Sequence, residues 1–145
     1  MVGAVPATYG VHMWTSTRTW TGLLAWAPVL AWAAVIFAFS AQPNLRFVLD
    51  EGLDFVIRKI GHMGVFGILA LLVWRALGMT TSWRRPRTWI VALGVTALYA
   101  ITDELHQGLV AGRHPSPVDV GIDTAGALIA IAAVLLIARR ASPTR

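Results

Sequence analysis

From Gly22 to Gln42 the chain reads GLLAWAPVLAWAAVIFAFSAQ, without a single charge. About 20 apolar residues in a helix cross the hydrocarbon core of a bilayer, and this run has that length. Pro28 lies inside it, which a lipid-embedded helix accommodates with a kink. A cleaved signal peptide is the competing reading, since Ala38-Phe39-Ser40 loosely resembles a cleavage site. The stretch is long for a signal core and starts far from the first residue, so a span is the better reading.

Three more apolar segments follow. The second is KIGHMGVFGILALLVWRALGM, Lys59 to Met79, whose uncharged core from Ile60 to Trp74 must take in His62 to span. The third is clean only from Trp89 to Thr102 and must draw in Asp103 and its neighbours. The fourth, Pro117 to Ala138, carries Asp119 and Asp123 ahead of TAGALIAIAAVLLIA. Composition agrees: 57% of residues are hydrophobic and 13% charged, against about a quarter charged in soluble domains. The expected fold is all-α, a polytopic membrane protein built as a bundle of four transmembrane helices. Residues 1–21 and 139–145 flank a membrane domain over 22–138. With no cysteine, disulfide and thiolate chemistry are excluded.

The net charge of +5 would suggest nucleic acid in a soluble protein. Here the arginines lie between the apolar runs, where they meet lipid headgroups and set topology, and no nucleic-acid partner is expected. Arg18, Arg75, Arg84, Arg85, Arg87, Arg139, Arg140 and Arg145 fall on one side of a four-span chain. Arg46, Arg58, Lys59 and Arg113 fall on the other, partly answered by Asp50, Glu51 and Asp54. The positive-inside rule puts both termini in the cytoplasm.

That topology gathers Ser40, Gln42, Lys59, His62, Asp103, Glu104, His106, Gln107, Arg113, Asp119 and Asp123 at the outer helix ends. Lys59, His62 and Phe66 share one helical stripe, Asp103, His106 and Gln107 a second, and Asp119, Asp123 and Gly126 a third. Asp123 lies six residues past Pro117, ~9 Å along a helix, and needs a partner at that depth. Arg113, Lys59 and His62 are the candidates. Each residue has a simpler reading as well. Ser116-Pro117-Val118-Asp119 fits an N-cap with an acid closing the capping box. Asp103 and Glu104 can be interfacial acids paired with Arg113, and His62 an interfacial histidine. His12 and His114 read as exposed, and the tryptophans as belt or lipid-facing residues. Together, so many polar groups exceed what capping and anchoring require, and a polar pocket opening outward is expected.

The segments FSAQPN (39–44), KIGHMGVFGILALL (59–72), DELHQGLVAGRHPSPVD (103–119) and DTAGALIA (123–130) resemble, in order and spacing, the VanZ-like family of bacterial membrane proteins. The resemblance places the chain in the bacterial cytoplasmic membrane. It marks Ser40, Lys59, His62, Asp103, Glu104, Gln107, Arg113, Ser116, Asp119 and Asp123 as the family's polar positions. Phe66 stands where the family often has tyrosine, and Asp123 where asparagine is common. The family's namesake is an accessory factor in resistance to the glycopeptide teicoplanin, so an envelope role is implied.

Two functions compete on these residues. In the first, His62 is the general acid or base, with Asp103 or Asp123 orienting it, acting on a lipid or lipid-linked envelope precursor. Lys59, Glu104, Gln107, Arg113, Ser116 and Asp119 then bind the headgroup. In the second, the same pocket captures a lipid or glycopeptide headgroup without turnover. A small transporter is a third reading, disfavoured by polar groups on one side only. The carboxylates with His62 and His106 offer O and N donors suited to a divalent cation, without a recognised metal motif. A homo-oligomer would enlarge the pocket.

Overall fold

The computed structural model describes residues 15–43 and 47–141, with α1 side chains from Gly22 onward. His12, Arg46 and Arg145, and the side chains of Arg18 and Trp20, lie outside that description. Four helices follow in order: α1 Thr15–Ser40, α2 Glu51–Thr80, α3 Arg85–Gln107 and α4 Pro117–Ala141. At 1.5 Å per residue each is roughly 35–45 Å long, enough to cross a bilayer core of ~30 Å. All four are long and apolar enough to do so. The chain is an all-α, multi-pass bundle.

α2 starts eight residues before the Lys59 at which the apolar reading opens the second span. The cause is local: the Asp50 carboxylate accepts the Leu53 N–H at 2.7 Å and caps the helix, so two turns carrying Glu51, Asp54 and Arg58 precede Lys59. α3 begins with Pro86 in its first turn, where the missing N–H costs nothing.

The bundle is organised on α2, which packs against all three other helices, most extensively α4. α2 and α4 run in the same direction, and small residues allow their close approach. Gly67 faces Ala130 and the Gly126 carbonyl, and a Cβ at Gly67 would sit 3.2 Å from each. Gly126 lies against the Met63 backbone. Phe66, Leu69, Val73, Ala127 and Ile131 complete the dry core between them. Outer faces are apolar too: Leu30, Leu98 and Ile137 are 69, 65 and 67% exposed, as lipid-facing side chains are.

The tryptophans correct a sequence expectation. Trp32 Nε1 donates to the Val65 carbonyl at 2.8 Å, and Trp74 Nε1 to Thr88 Oγ1 at 3.1 Å. Tyr99 likewise donates to the Ala33 carbonyl at 2.7 Å. Trp32 and Trp74 are thus helix-to-helix ties, not belt anchors. In hydrocarbon no water competes for an indole N–H, so a neighbouring helix supplies the acceptor.

Candidate functional site

Every acidic residue of the chain lies at one end of the bundle. Asp50, Glu51 and Asp54 open α2, Asp103 and Glu104 close α3, and Asp119 and Asp123 open α4. Six polar side chains are buried there: Ser40, Asp54, Asp103, Glu104, Gln107 and Asp123.

Two rungs join α2 to α4. Lys59 Nζ pairs with the Asp119 carboxylate, both side chains a quarter exposed. One turn deeper, His62 Nδ1 lies 3.3 Å from Asp123 Oδ1, with Asp123 only 1% exposed. Neither Asp123 oxygen receives a hydrogen bond of good geometry, so His62 is its close polar neighbour. Of the three candidate partners for Asp123, the fold selects His62. Parallel helices in this register set Lys59 beside Asp119 and His62 beside Asp123. Phe66 continues the stripe, its ring 6.2 Å from the imidazole.

A second network runs across α1, α3 and the α3–α4 loop. Asp103 Oδ2 accepts from Ser40 Oγ at 2.7 Å and from Gln107 Nε2 at 2.9 Å. Gln107 Oε1 in turn accepts from Arg113 Nη1 at 2.8 Å. The loop reaches back because Gly112 takes φ +80°, a left-handed value that favours glycine. Arg113 therefore binds Gln107, not the acids Asp103 and Glu104. Glu104 Oε1 accepts the Ser116 backbone N–H at 2.8 Å. The expected capping box is thereby displaced: α3 supplies the carboxylate for that N–H, and Asp119 is left to meet Lys59. His106 stacks on Phe37 of α1, centroids 4.1 Å apart, and does not line the cavity. Among the described residues no group of three or more His, Asp or Glu side chains is placed to hold a metal ion.

These elements enclose a cavity of about 600 Å³ between α1, the start of α2 and the start of α4. Its polar lining comprises His62, Asp123, Lys59, Asp119, Arg58, Arg113, Ser40 and Gln107. Its apolar lining comes from Trp32, Val35, Ile36 and Phe39 of α1, from Phe47 in the α1–α2 connection, and from Phe55, Ile57 and Val65 of α2 with Ile122 of α4. Asp103, Glu104 and Ser116 stand behind this lining and hold other residues in place.

The family model for VanZ/LLP1 matches residues 7–138. The chain belongs to that family. The family is associated with the cell envelope and with glycopeptide resistance. No curated protein and no solved structure matches the chain.

Asp54, which by sequence only balances nearby basic charge, supports the site from behind. It is 1% exposed and accepts from Phe47 N at 2.7 Å, Val48 N at 3.4 Å and Arg58 Nε at 2.9 Å. It thereby fixes both Phe47 and Arg58 at the cavity of the VanZ/LLP1 domain. The Asp54–Arg58 spacing of four was the available signal. Replacing Asp54 with alanine strands two backbone donors and a guanidinium. The expected result is faster amide exchange at Phe47 and Val48 and a stability loss of about 2 kcal/mol. Exchange at Phe47 equal to that of the parent protein would contradict the assignment.

Proposed function

We propose that the cavity binds an anionic amphiphile of the envelope, a phosphate- or carboxylate-bearing lipid or lipid-linked precursor, and that His62 transfers a proton there. The observation that carries this reading is the lining of one cavity by both charged and apolar side chains. An amphiphile matches both at once. Arg113 spends one Nη1 donor on Gln107, and Arg58 spends Nε on Asp54. The remaining guanidinium donors form a fork suited to an oxyanion. The lipid chain lies along Trp32, Val35 and Phe39. The arginine distribution supports an extracytoplasmic cavity.

With Asp123 beside Nδ1, the imidazole presents Nε2 as its second titrating atom, the arrangement of an oriented general acid or base. Ser40 also lines the cavity, with its hydroxyl given to Asp103. A capture role without turnover uses the same binding groups and lacks only the proton step. A through-path is disfavoured by the closed apolar core around Phe66, Val73 and Ile131, each at most 1% exposed.

Binding is tested with dodecyl phosphate against dodecyl maltoside, by native mass spectrometry of the protein in a neutral detergent. The phosphate should be preferred, and Arg113→Gln should weaken its binding about tenfold or more, the scale of a lost charge-assisted hydrogen bond. Equal retention of the two amphiphiles, or an R113Q variant that binds as well as the parent, would remove the proposal.

A further inference from the structure

The opposite end of the bundle holds a second concavity, independent of the site above. It measures about 650 Å³ and lies between α2, the start of α3 and the end of α4. We propose that it is a binding site for the phosphate of an anionic membrane lipid, held by Arg75 and Arg85.

Three observations converge. The first is charge. All seven Asp and Glu side chains are at the other end, so no carboxylate side chain competes for these arginines. Arg84, Arg87, Arg139 and Arg140 add to the same positive field. The second is a built floor. Trp74 Nε1 donates to Thr88 Oγ1 at 3.1 Å, and Thr88 Oγ1 donates to the Arg85 carbonyl at 2.8 Å. Thr88 is 3% exposed, so the floor is dry and its donors are spent. Arg87 is committed as well, its guanidinium 4.3 Å from the Trp83 ring centre. Guanidinium groups of Arg75 and Arg85 are what remain to meet a ligand. The third is shape. Leu71 and Val134 continue the lining into the membrane-spanning part of the groove. Gly78 leaves open space at its mouth, since a Cβ there would meet nothing within 4 Å. A phosphate with an attached acyl chain fits a cationic mouth above an apolar slot, and a phosphodiester lipid is the source at membrane depth.

Native mass spectrometry of the whole protein provides the test, titrating palmitoyl-oleoyl phosphatidylglycerol against the corresponding phosphatidylcholine. The parent protein should retain phosphatidylglycerol preferentially. An Arg75→Gln/Arg85→Gln double variant should lose about tenfold or more of that retention. Arg139→Gln/Arg140→Gln, with the same change in net charge outside the groove, should keep it. Gly78→Leu fills the groove without touching charge and should lose retention like the first pair, which decides the matter if that pair folds poorly. Equal losses in the 139/140 pair, or full retention in Gly78→Leu, would overturn the proposal. Displacement by millimolar inorganic phosphate would identify a free-anion site and overturn the assignment to lipid.

Discussion

Gly126→Ala should cost this bundle about 3 kcal/mol, the upper part of the range for overpacked cores. The added Cβ would stand 2.6 Å from Met63 Cα and 2.8 Å from Met63 C. Those are backbone atoms of a neighbouring helix, and no rotamer change relieves them. The helices must part, and α2 with α4 is the most extensive packing in the molecule. Their separation also pulls on the site, because Gly126 follows Asp123 by three residues and lies on its stripe. Ligand retention should therefore fall with stability. Denaturant unfolding in detergent gives the measurement, with Gly64→Ala as control. A Cβ at Gly64 meets nothing within 4 Å, so that variant should match the parent or exceed it. A Gly126→Ala protein as stable as the parent would mean that α2 and α4 are not in contact as described.

The second large effect concerns His62. His62→Gln keeps an amide donor to place against Asp123 but cannot carry a proton between solvent and ligand. If the site turns over an envelope lipid, that variant should lose 10²–10⁴-fold in rate, the usual worth of a general acid or base. Glutamine is preferred to alanine because removing the imidazole outright would leave Asp123 buried with an unanswered charge, which destabilises by itself. Asp123→Asn keeps the volume and should slow turnover through loss of imidazole orientation, while amphiphile binding stays within a few-fold. The readout is mass spectrometry of envelope lipids incubated with purified protein. Turnover by His62→Gln at close to the parent rate would sink the proton-transfer role. Absence of turnover in the parent, with selective binding intact, would place the protein with capture factors.

Asp103 differs from Asp123 in what it can do. It lies behind the cavity and accepts from Ser40 and Gln107, so its influence on a ligand passes through those side chains and Arg113. By sequence, Asp103 and Asp123 are equivalent candidates for orienting His62, because both sit at the same end of the bundle. Three-dimensional placement separates them: one stands beside the imidazole and the other beside a hydroxyl and an amide.

Much of the site was legible before any coordinates. Four apolar runs, with acids confined to one end of the bundle, determined the number of helices and the end that gathers the polar residues. Stripes at spacings of three and four put Lys59 with His62 and Asp119 with Asp123 on common faces. The family polar positions on α2 and α4 did meet. What spacing left open was the pairing, since Arg113, Lys59 and His62 were equal candidates for Asp123. Only the register of parallel helices chose among them. Glu104 likewise looked like an interfacial acid until the fold brought Ser116 to it across the α3–α4 loop.

The share of the cavity lining that comes from α1 was the least legible part. In water, the apolar stripe of a helix shows which way it faces. In a bilayer the outside is apolar as well, so α1 has apolar residues on every face, and its sequence does not separate Trp32 and Phe39 at the cavity from Leu30 toward lipid. The amino-acid sequence by itself determined the spans, their polar end and the residues available there. The tertiary structure alone decided which faces turn inward, because in hydrocarbon that choice rests on steric fit at Gly67 and Gly126 and on hydrogen bonds such as Trp32 to Val65, none of which hydropathy records.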